Sequence, residues 1–277
     1  MSLSNKRIPG VFSLLIFLQP NKKCRMLATS DAEATREGLF ASTRWTVVLD
    51  AGESQTPPDQ ALNALSELCR IYWRPIFLFL RRQGSNPDDA QDLTQGFFAH
   101  LIESRAYARA DPDKGRFRSF LLGALKHFVA HARAHDRTQK RGGGMILGQL
   151  DTAAIAEADA RAVGLQSWSA ERVYEREWAE TLLRQALDRL AEECALAGKD
   201  ELFKELNSHL SVTSDGAVPY EEMSLRLGRP ITTLRSDVAR LRSRYRAILR
   251  EEVGGTVAQA SEIDAELRHL CEVLMAD

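Results

Sequence analysis

The sequence predicts an all-α protein of two small helical domains joined by a flexible acidic linker. Apolar residues recur at three- and four-residue steps along most of the chain, and no β pattern of any length appears. Three glycines at 142–144 separate the helical segments into two groups. At 277 residues, with 44% apolar and 27% charged residues, the chain has the length and composition of a globular protein with two small domains.

Residues 1–42 are expected to be an N-terminal extension that is either disordered or the result of a mis-called start, in which case the natural start is Met26. The apolar run Val11–Leu18 follows Lys6 and Arg7, which superficially resembles a signal peptide. The run is far too short to span a bilayer and no small-residue cleavage site follows it, so a cleaved signal is the less favoured alternative. We therefore expect no membrane insertion. Four widely spaced cysteines without a CxxC pair fit a reducing cytoplasm.

Residues 43–141 form the first predicted domain. Three of its segments have the helical period: Ala61–Gln83, Asn86–Glu103 and Arg116–Ala134. Pro75 lies inside the first segment and predicts a kink or a break at the residue before it. The second segment starts with Asn86-Pro-Asp-Asp, which is typical of a capped helix start because Asn is a good cap and acids favour the positive end of the helix dipole.

Residues 142–172 are predicted to be the linker, with Leu150–Leu165 as a mobile, weakly patterned acidic connector. Residues 173–253 form the second predicted domain and 254–277 a C-terminal segment. Amphipathic helices are expected over Glu171–Cys194, Glu201–Leu210 and Ala258–Met275.

A helix–turn–helix is predicted at the end of the second domain. A short helix over Tyr220–Leu227 ends at Gly228, and Pro230 precedes the next helix. That next helix has an apolar stripe formed by Ile231, Leu234, Val238, Leu241, Tyr245 and Ile248. Its other face holds Thr232, Thr233, Arg235, Ser236, Arg240, Arg242 and Arg244. Hydroxyls and guanidiniums near the start of such a helix contact bases and later arginines meet phosphates, although an ordinary solvated helix is the alternative.

Basic residues are concentrated in two places, although the net charge of the chain is only −1. Arg105–Arg141 holds ten lysines and arginines against three aspartates, and Arg229–Arg250 holds seven arginines against one aspartate. Two separate surfaces that touch a polyanion would produce this distribution.

Two other groups of polar residues were considered as metal sites. Asp88, Asp89 and Asp92 could hold magnesium, but acids at a helix start are common and no complementary acidic cluster follows. His127, His131 and His135 lie at four-residue steps and could bind a metal from one face, but no HExxH motif is present. We expect no metal and no cofactor.

Two segments, in this order, resemble a bacterial RNA polymerase sigma factor of the extracytoplasmic-function group. The sequence DAQDLTQGFFAHLIE at Asp89–Glu103 resembles the family helix that docks on the polymerase, and FRSFLLGALKHFVAHAR at Phe117–Arg133 resembles the helix that opens the minus-ten element. The motifs YEEMSLRLG and ITTLRSDVARLR within Ala179–Glu252 resemble its minus-thirty-five reader. TRWTVVL near the start and ELRHL near the end resemble the planctomycete-type branch of the group.

The resemblance implies a sigma region 2-like domain followed by a region 4-like domain, with three contact surfaces. It places Asp89, Asp92, Gln95 and Phe98 at the core polymerase. It places near the melted minus-ten strand Phe117, Arg118, Phe120, Lys126, Arg133 and Arg137. Basic side chains with aromatic rings suit unstacked single strands. The alternative is that Phe117 and Phe120 are core residues, and for at least one of them this is the better interpretation. The seven polar residues of the helix–turn–helix would contact minus-thirty-five DNA.

The sequence departs from the family pattern at several positions. Gly96 stands where the family often has Glu, and His127 and His131 replace an Asn and an Asp. Asp237 replaces a frequent Arg in the recognition helix. Because DNA phosphates would repel this carboxylate, we expect it to turn away or to pair with Arg240 or Arg244.

The function expected from the resemblance is a sigma factor that binds core RNA polymerase and promoter DNA, with no catalytic residues of its own. An anti-sigma factor or another regulator is a further expected partner. A stand-alone helix–turn–helix regulator is the main alternative, and a metal-dependent phosphohydrolase that uses the three histidines is the alternative from another class.

Overall fold

The structure is a computed structural model that describes residues 58–104, 116–136, 152–165, 167–210 and 218–276. The predictions for residues 1–42, for the glycines at 142–144 and for Arg137 lie outside these ranges, as does the TRWTVVL motif at Thr43–Leu49. The described residues contain helices and no strand, so the all-α prediction is confirmed for them. No helix in these ranges is long and apolar enough to cross a membrane.

Nine α-helices occur in the described ranges, and two short 3-10 turns, Asn207–His209 and Ala260–Glu262, accompany them. In chain order they are α1 (Pro58–Arg82), α2 (Pro87–Glu103), α3 (Phe117–Asp136), α4 (Thr152–Gly164), α5 (Ala170–Leu196), α6 (Asp200–Leu206), α7 (Tyr220–Leu227), α8 (Ile231–Gly254) and α9 (Ile263–Met275).

The helices divide into two compact units. The N-terminal unit takes in the described residues of Phe40–Trp178 and Gly254–Glu262. The C-terminal unit takes in those of Ala179–Val253 and Ile263–Asp277. The division between Trp178 and Ala179 falls inside α5, so this helix contributes residues to both units.

In the N-terminal unit, α1 packs against α2 and α4, and α2 also packs against α3. The helix α1 is continuous through Pro75, so the predicted break does not occur. Residues 76–80 are all buried, which leaves this part of α1 enclosed on every side. Burial of so much apolar surface, roughly 1.5–3 kcal/mol per large side chain, outweighs the backbone hydrogen bond that the proline removes.

The start of α2 has the predicted cap. The side chain of Asn86 accepts a hydrogen bond from the backbone N–H of Asp89 at 2.8 Å and donates one to the Asp89 carboxylate at 2.8 Å. Aromatic side chains of α1, α2 and α3 pack together in the core. Phe97 contacts Phe128 at a centroid distance of 5.7 Å, and Phe117 contacts Tyr72 at 5.4 Å.

Helix α4 corrects the prediction of a mobile connector over Leu150–Leu165. Its alanine-rich sequence has high helix propensity, and Ile155, Ala158 and Ala162 are buried. Two of its acidic side chains pair with α1: Glu157 lies 3.0 Å from Arg74, and Asp159 lies 2.5 Å from Arg81. The sequence did not predict this helix because its apolar pattern is weak. Small side chains and ion pairs hold it in place instead of a stripe of large apolar residues.

A buried carboxylate connects α1, α4 and α5 within the N-terminal unit. Glu177 is only 1% exposed. One of its oxygens pairs with the guanidinium of Arg74, and the other lies 2.9 Å from Nε of Arg161. A buried charge is tolerated only where opposite charges surround it, so this network holds the three helices in a fixed arrangement.

In the C-terminal unit, the helix–turn–helix is built on a small apolar cluster. Leu206, Met223, Leu234 and Val238 are buried together. Leu202, Val218, Tyr220, Leu227 and Leu241 are partly buried and pack around them. The last helix, α9, buries Ile263, Leu270 and Leu274 in the same unit, as its predicted amphipathic pattern requires.

Replacing the buried carboxylate should destabilise the N-terminal unit. We expect Glu177→Gln to lower the free energy of unfolding by about 3–5 kcal/mol, because Arg74 and Arg161 lose their shared counter-charge. Glu157→Gln is the matched control: its side chain is 69% exposed, so its loss should cost less than about 1 kcal/mol. Urea denaturation followed by circular dichroism measures both, and equal losses would contradict the role assigned to Glu177.

Substitution of Gly228 by alanine should destabilise the protein, whereas the same substitution of Gly123 should not. Gly228 has φ of +61°, a left-handed conformation that costs an L-residue about 1–2 kcal/mol, so Gly228→Ala should lower the melting temperature. Gly123 lies inside α3, and a Cβ there would meet nothing within 4 Å. Gly123→Ala should therefore stabilise by about 0.5–1 kcal/mol. Calorimetry should show a melting temperature below that of the wild type for Gly228→Ala and above it for Gly123→Ala.

Candidate nucleic-acid interface

The turn between α7 and α8 is fixed by local hydrogen bonds. Gly228 adopts the left-handed conformation that ends α7, as its sequence position predicts. The hydroxyl of Ser224 donates to the carbonyl of Arg229 at 2.6 Å, and the N–H of Leu234 donates to the carbonyl of Pro230 at 3.1 Å. These bonds satisfy polar groups of the turn and set the direction in which α8 leaves it.

The first two turns of α8 present a polar face to solvent. Thr232, Thr233, Arg235 and Ser236 are exposed, whereas Leu234 and Val238 on the opposite side are buried. The guanidinium of Arg235 lies 5.5 Å from the ring centroid of Tyr220, close enough for a cation–π contact. Hydroxyl and guanidinium groups can donate to base edges in a major groove, so the structure brings four of the seven predicted minus-thirty-five residues to one accessible face.

Asp237 pairs with two arginines at the edge of this face. Its carboxylate lies 3.2 Å from Arg240 and 3.4 Å from Arg229. The predicted pairing with Arg240 is confirmed, and Arg229 takes the place of Arg244 as the second candidate partner. Arg240 is the most exposed of the three, with 77% of its side chain accessible.

Arg242 is partly buried and bonds within the C-terminal unit. Its guanidinium donates two hydrogen bonds, of 3.0 and 2.6 Å, to the carbonyl of His209. The ring of His209 donates from Nε2 to the carbonyl of Val218 at 2.7 Å and lies 4.5 Å from the ring of Tyr220. Burial lowers the pKa of Arg242. This side chain therefore joins α8 to the segments that precede and begin α7.

Arg244 is also committed within the C-terminal unit. Two of its nitrogens each lie 2.7 Å from the Glu193 carboxylate on α5, and a third contact of 3.4 Å reaches Glu251. The hydrogen bond from Arg244 lowers the pKa of Glu193. A DNA phosphate that binds Arg244 would have to compete with these carboxylates. The geometry of Arg244 therefore does not support its predicted contact with DNA.

The four residues assigned to the polymerase surface differ in accessibility. Asp89 and Asp92 are exposed and Gln95 is partly exposed. Phe98 is buried, with 5% of its surface accessible, and contacts Phe97 at a centroid distance of 5.7 Å. Asp89 also takes part in the cap of α2, since its backbone N–H and its carboxylate both bond to the side chain of Asn86.

Two of the six predicted minus-ten residues are buried, so neither presents its side chain on an open surface. Phe117 is 1% exposed and Arg118 is 6% exposed. Arg118 pairs with Glu175, and its guanidinium lies 5.0 Å from the ring centroid of the buried Trp178. The helical pattern favours Phe117 as a core residue. It gives no place for Arg118, whose acidic partner lies 57 residues away in the sequence.

The other minus-ten residues are more accessible where they are described. Phe120 is partly exposed and stacks on Phe117 at 6.2 Å. Lys126 is exposed and lies 2.8 Å from Glu171, whose pKa is lowered by that hydrogen bond. The side chain of Arg133 lies outside the described part of the structure.

A cluster of arginines around Trp168 was not anticipated from the sequence. Arg172 and Arg176 place their guanidiniums 3.9 and 4.9 Å from its ring centroid. Arg82 donates two hydrogen bonds to the Trp168 carbonyl, at 3.0 and 2.5 Å. The four-residue spacing of Arg172 and Arg176 on α5 was the available signal, but nothing in the sequence indicated that a tryptophan would lie beside both.

The histidines proposed as metal ligands are exposed where their side chains are described, as for His127 and His131. The side chain of His135 is not among those described. Within the described residues, no group of three histidine, cysteine, aspartate or glutamate side chains is arranged to hold a metal ion.

Comparisons with known proteins do not add to this description. No protein-family model, no curated protein and no solved structure matches the chain.

Two arginines on α8 should respond differently to truncation. Arg242→Ala leaves the His209 carbonyl without its two donors and should destabilise the C-terminal unit by about 1–3 kcal/mol. Arg240→Ala removes only an exposed ion pair and should cost less than about 1 kcal/mol. Thermal denaturation of the two variants provides the measurement, and a larger loss for Arg240→Ala would show that these assignments are reversed.

Proposed function

We propose that the chain is a promoter-specificity subunit of bacterial RNA polymerase, with the polymerase supplying the chemistry. In this proposal the C-terminal unit binds duplex DNA through α8, and the N-terminal unit contacts core polymerase through α2. The proposal rests on the resemblance of the sequence to sigma factors of the extracytoplasmic-function group and on the local geometry of α7 and α8.

The accessible face at the start of α8 is the observation that carries the proposal. Thr232, Thr233, Arg235 and Ser236 are exposed within two turns of a helix that follows a tight, hydrogen-bonded turn. This arrangement is typical of helix–turn–helix proteins, in which the first turns of the second helix contact base edges. The exposed Arg229 and Arg240 flank the face and supply positive charge for phosphates.

In this proposal, fewer residues of the N-terminal unit are available for promoter opening than the resemblance implies. Phe117 and Arg118 are committed to the core, so contact with a minus-ten strand would fall to Phe120, Lys126 and residues beyond the described part of α3. Asp92 remains an exposed acid on α2, where the resemblance expects the polymerase.

A stand-alone helix–turn–helix regulator is the second candidate, and one observation favours it. Such a protein needs only the duplex contact of the C-terminal unit, and the burial of Arg118 against Trp178 removes one of the single-strand contacts that a promoter-opening subunit would use. The two candidates differ in whether the protein binds core polymerase.

Asp92→Arg distinguishes the two candidates. If α2 docks on polymerase, reversing the charge of this exposed residue should weaken binding to core enzyme at least tenfold, because like charges would meet at the interface. Binding to duplex DNA should not change. Pull-down and fluorescence anisotropy with purified core enzyme measure the first quantity, and anisotropy with duplex DNA measures the second.

Glu272→Arg is the matched control, because it makes the same change of charge at an exposed position of α9 in the C-terminal unit. It should leave core binding intact. In vitro transcription over a genomic library with the wild-type protein then identifies start sites. Absence of both core affinity and directed start sites would refute the sigma-factor proposal and leave the stand-alone regulator.

A further inference from the structure

Asp237 lies between two arginines at the border of the exposed face of α8. Its side chain is 14% exposed, whereas those of Arg229 and Arg240 are 47% and 77% exposed. Nη1 of Arg240 donates to Oδ1 at 3.2 Å, and Nη1 of Arg229 donates to Oδ2 at 3.4 Å. Each carboxylate oxygen therefore accepts from a different guanidinium, and we call these three residues the Asp237 cluster.

The cluster leaves most of the arginine donors available. A guanidinium carries five N–H groups, and one from each arginine points to Asp237. The remaining donors belong to side chains that are about half or more exposed, so they can meet phosphate oxygens while the contact with Asp237 persists. The mostly buried carboxylate cannot itself move far toward the DNA.

The position of the cluster relates it to the residues that face bases. Arg229 belongs to the turn before α8, and Arg240 lies one turn beyond Ser236. Thr233, Asp237 and Arg240 are spaced four and three residues apart, so they lie on one side of the helix. Two arginines fixed to one carboxylate thus border the side on which Thr233 and Ser236 are exposed.

Holding the two arginines has two energetic consequences. Long side chains lose rotamer freedom when they bind, and side chains already held in place lose less. The carboxylate also cancels one of the two positive charges, which weakens attraction to phosphates at every DNA sequence. The first effect favours the DNA site on which both arginines fit. The second lowers the affinity for every duplex, so only at the fitting site does the first effect offset it.

We propose that Asp237 is a specificity-determining positioning residue, which orients Arg229 and Arg240 for backbone phosphates at the preferred DNA site and lowers affinity for other duplexes. This inference rests on the proposed duplex contact of α8 and holds for either candidate function. It explains an acid on a surface that is otherwise basic, since specificity is a difference between two affinities.

The test compares the full-length protein with Asp237→Asn. Asparagine keeps the shape but loses the charge, and arginine offers no acceptor for its amide, so at most one of its atoms still accepts from an arginine. A duplex enriched from a random-sequence pool by the wild-type protein is the preferred probe, and a scrambled duplex of the same composition is the reference. Anisotropy titrations over a series of salt concentrations give both affinities.

We expect Asp237→Asn to bind the scrambled duplex more tightly and to lower the ratio of preferred to scrambled affinity by about 3- to 10-fold, the range set by ordering one or two long side chains. Glu221→Gln is the matched control, because it removes one negative charge from an exposed position of α7 and leaves the Asp237 cluster intact. It should shift both affinities equally and keep the ratio.

The outcomes separate this inference from the proposed function. An unchanged ratio for Asp237→Asn, with melting temperature equal to wild type, would overturn the positioning role while leaving duplex recognition in place. A rise in the ratio would also overturn it. If the wild-type protein enriches no sequence from the pool, sequence-specific duplex binding itself fails, and the role of Asp237 fails with it.

Discussion

Burial of one side of α8 is the constraint on which the C-terminal unit depends. Leu234, Val238, Tyr245 and Ile248 are each 2% exposed or less, and they anchor this helix along most of its length. The hydroxyl of Tyr245 donates to the carbonyl of Leu183 on α5 at 3.0 Å. Because successive residues of a helix are about 100° apart, fixing this side also fixes which polar side chains face outward. Core packing therefore determines which polar side chains α8 presents to solvent.

The arginines of α8 differ in their contacts according to their position along the helix. Those near its start are exposed and border the face that holds Thr232 and Ser236. Farther along, Arg242 and Arg244 bond to a backbone carbonyl and to carboxylates of the same unit. A count of positive charges therefore overstates the positive surface that α8 presents to solvent, since Arg242 and Arg244 bond within the fold. The position of each guanidinium is more informative than the total.

The sequence predicts best those features whose causes are local. The cap at Asn86, the end of α7 at Gly228 and the buried stripe of α8 follow from residues within a few positions of one another. The partners of Arg242 and Arg118 could not be predicted, because they lie 33 and 57 residues away. Helix α4 was missed for a related reason: ion pairs to α1 hold a segment whose own apolar pattern is weak. Charged residues that pair with partners distant in the sequence are the common source of these errors.

The course of α5 has a consequence for dividing the protein into fragments. Val173, Tyr174 and Trp178 are buried in the N-terminal unit, and Leu182, Leu183 and Ala186 are buried in the C-terminal unit, all on one uninterrupted helix. No loop separates these two sets of residues, so a proteolytic or genetic cut between Trp178 and Ala179 must open a helical turn. Each fragment would then begin or end on core side chains, with the backbone groups of the cut turn left to water. Proteases, which favour exposed loop tips, should find this boundary a poor substrate.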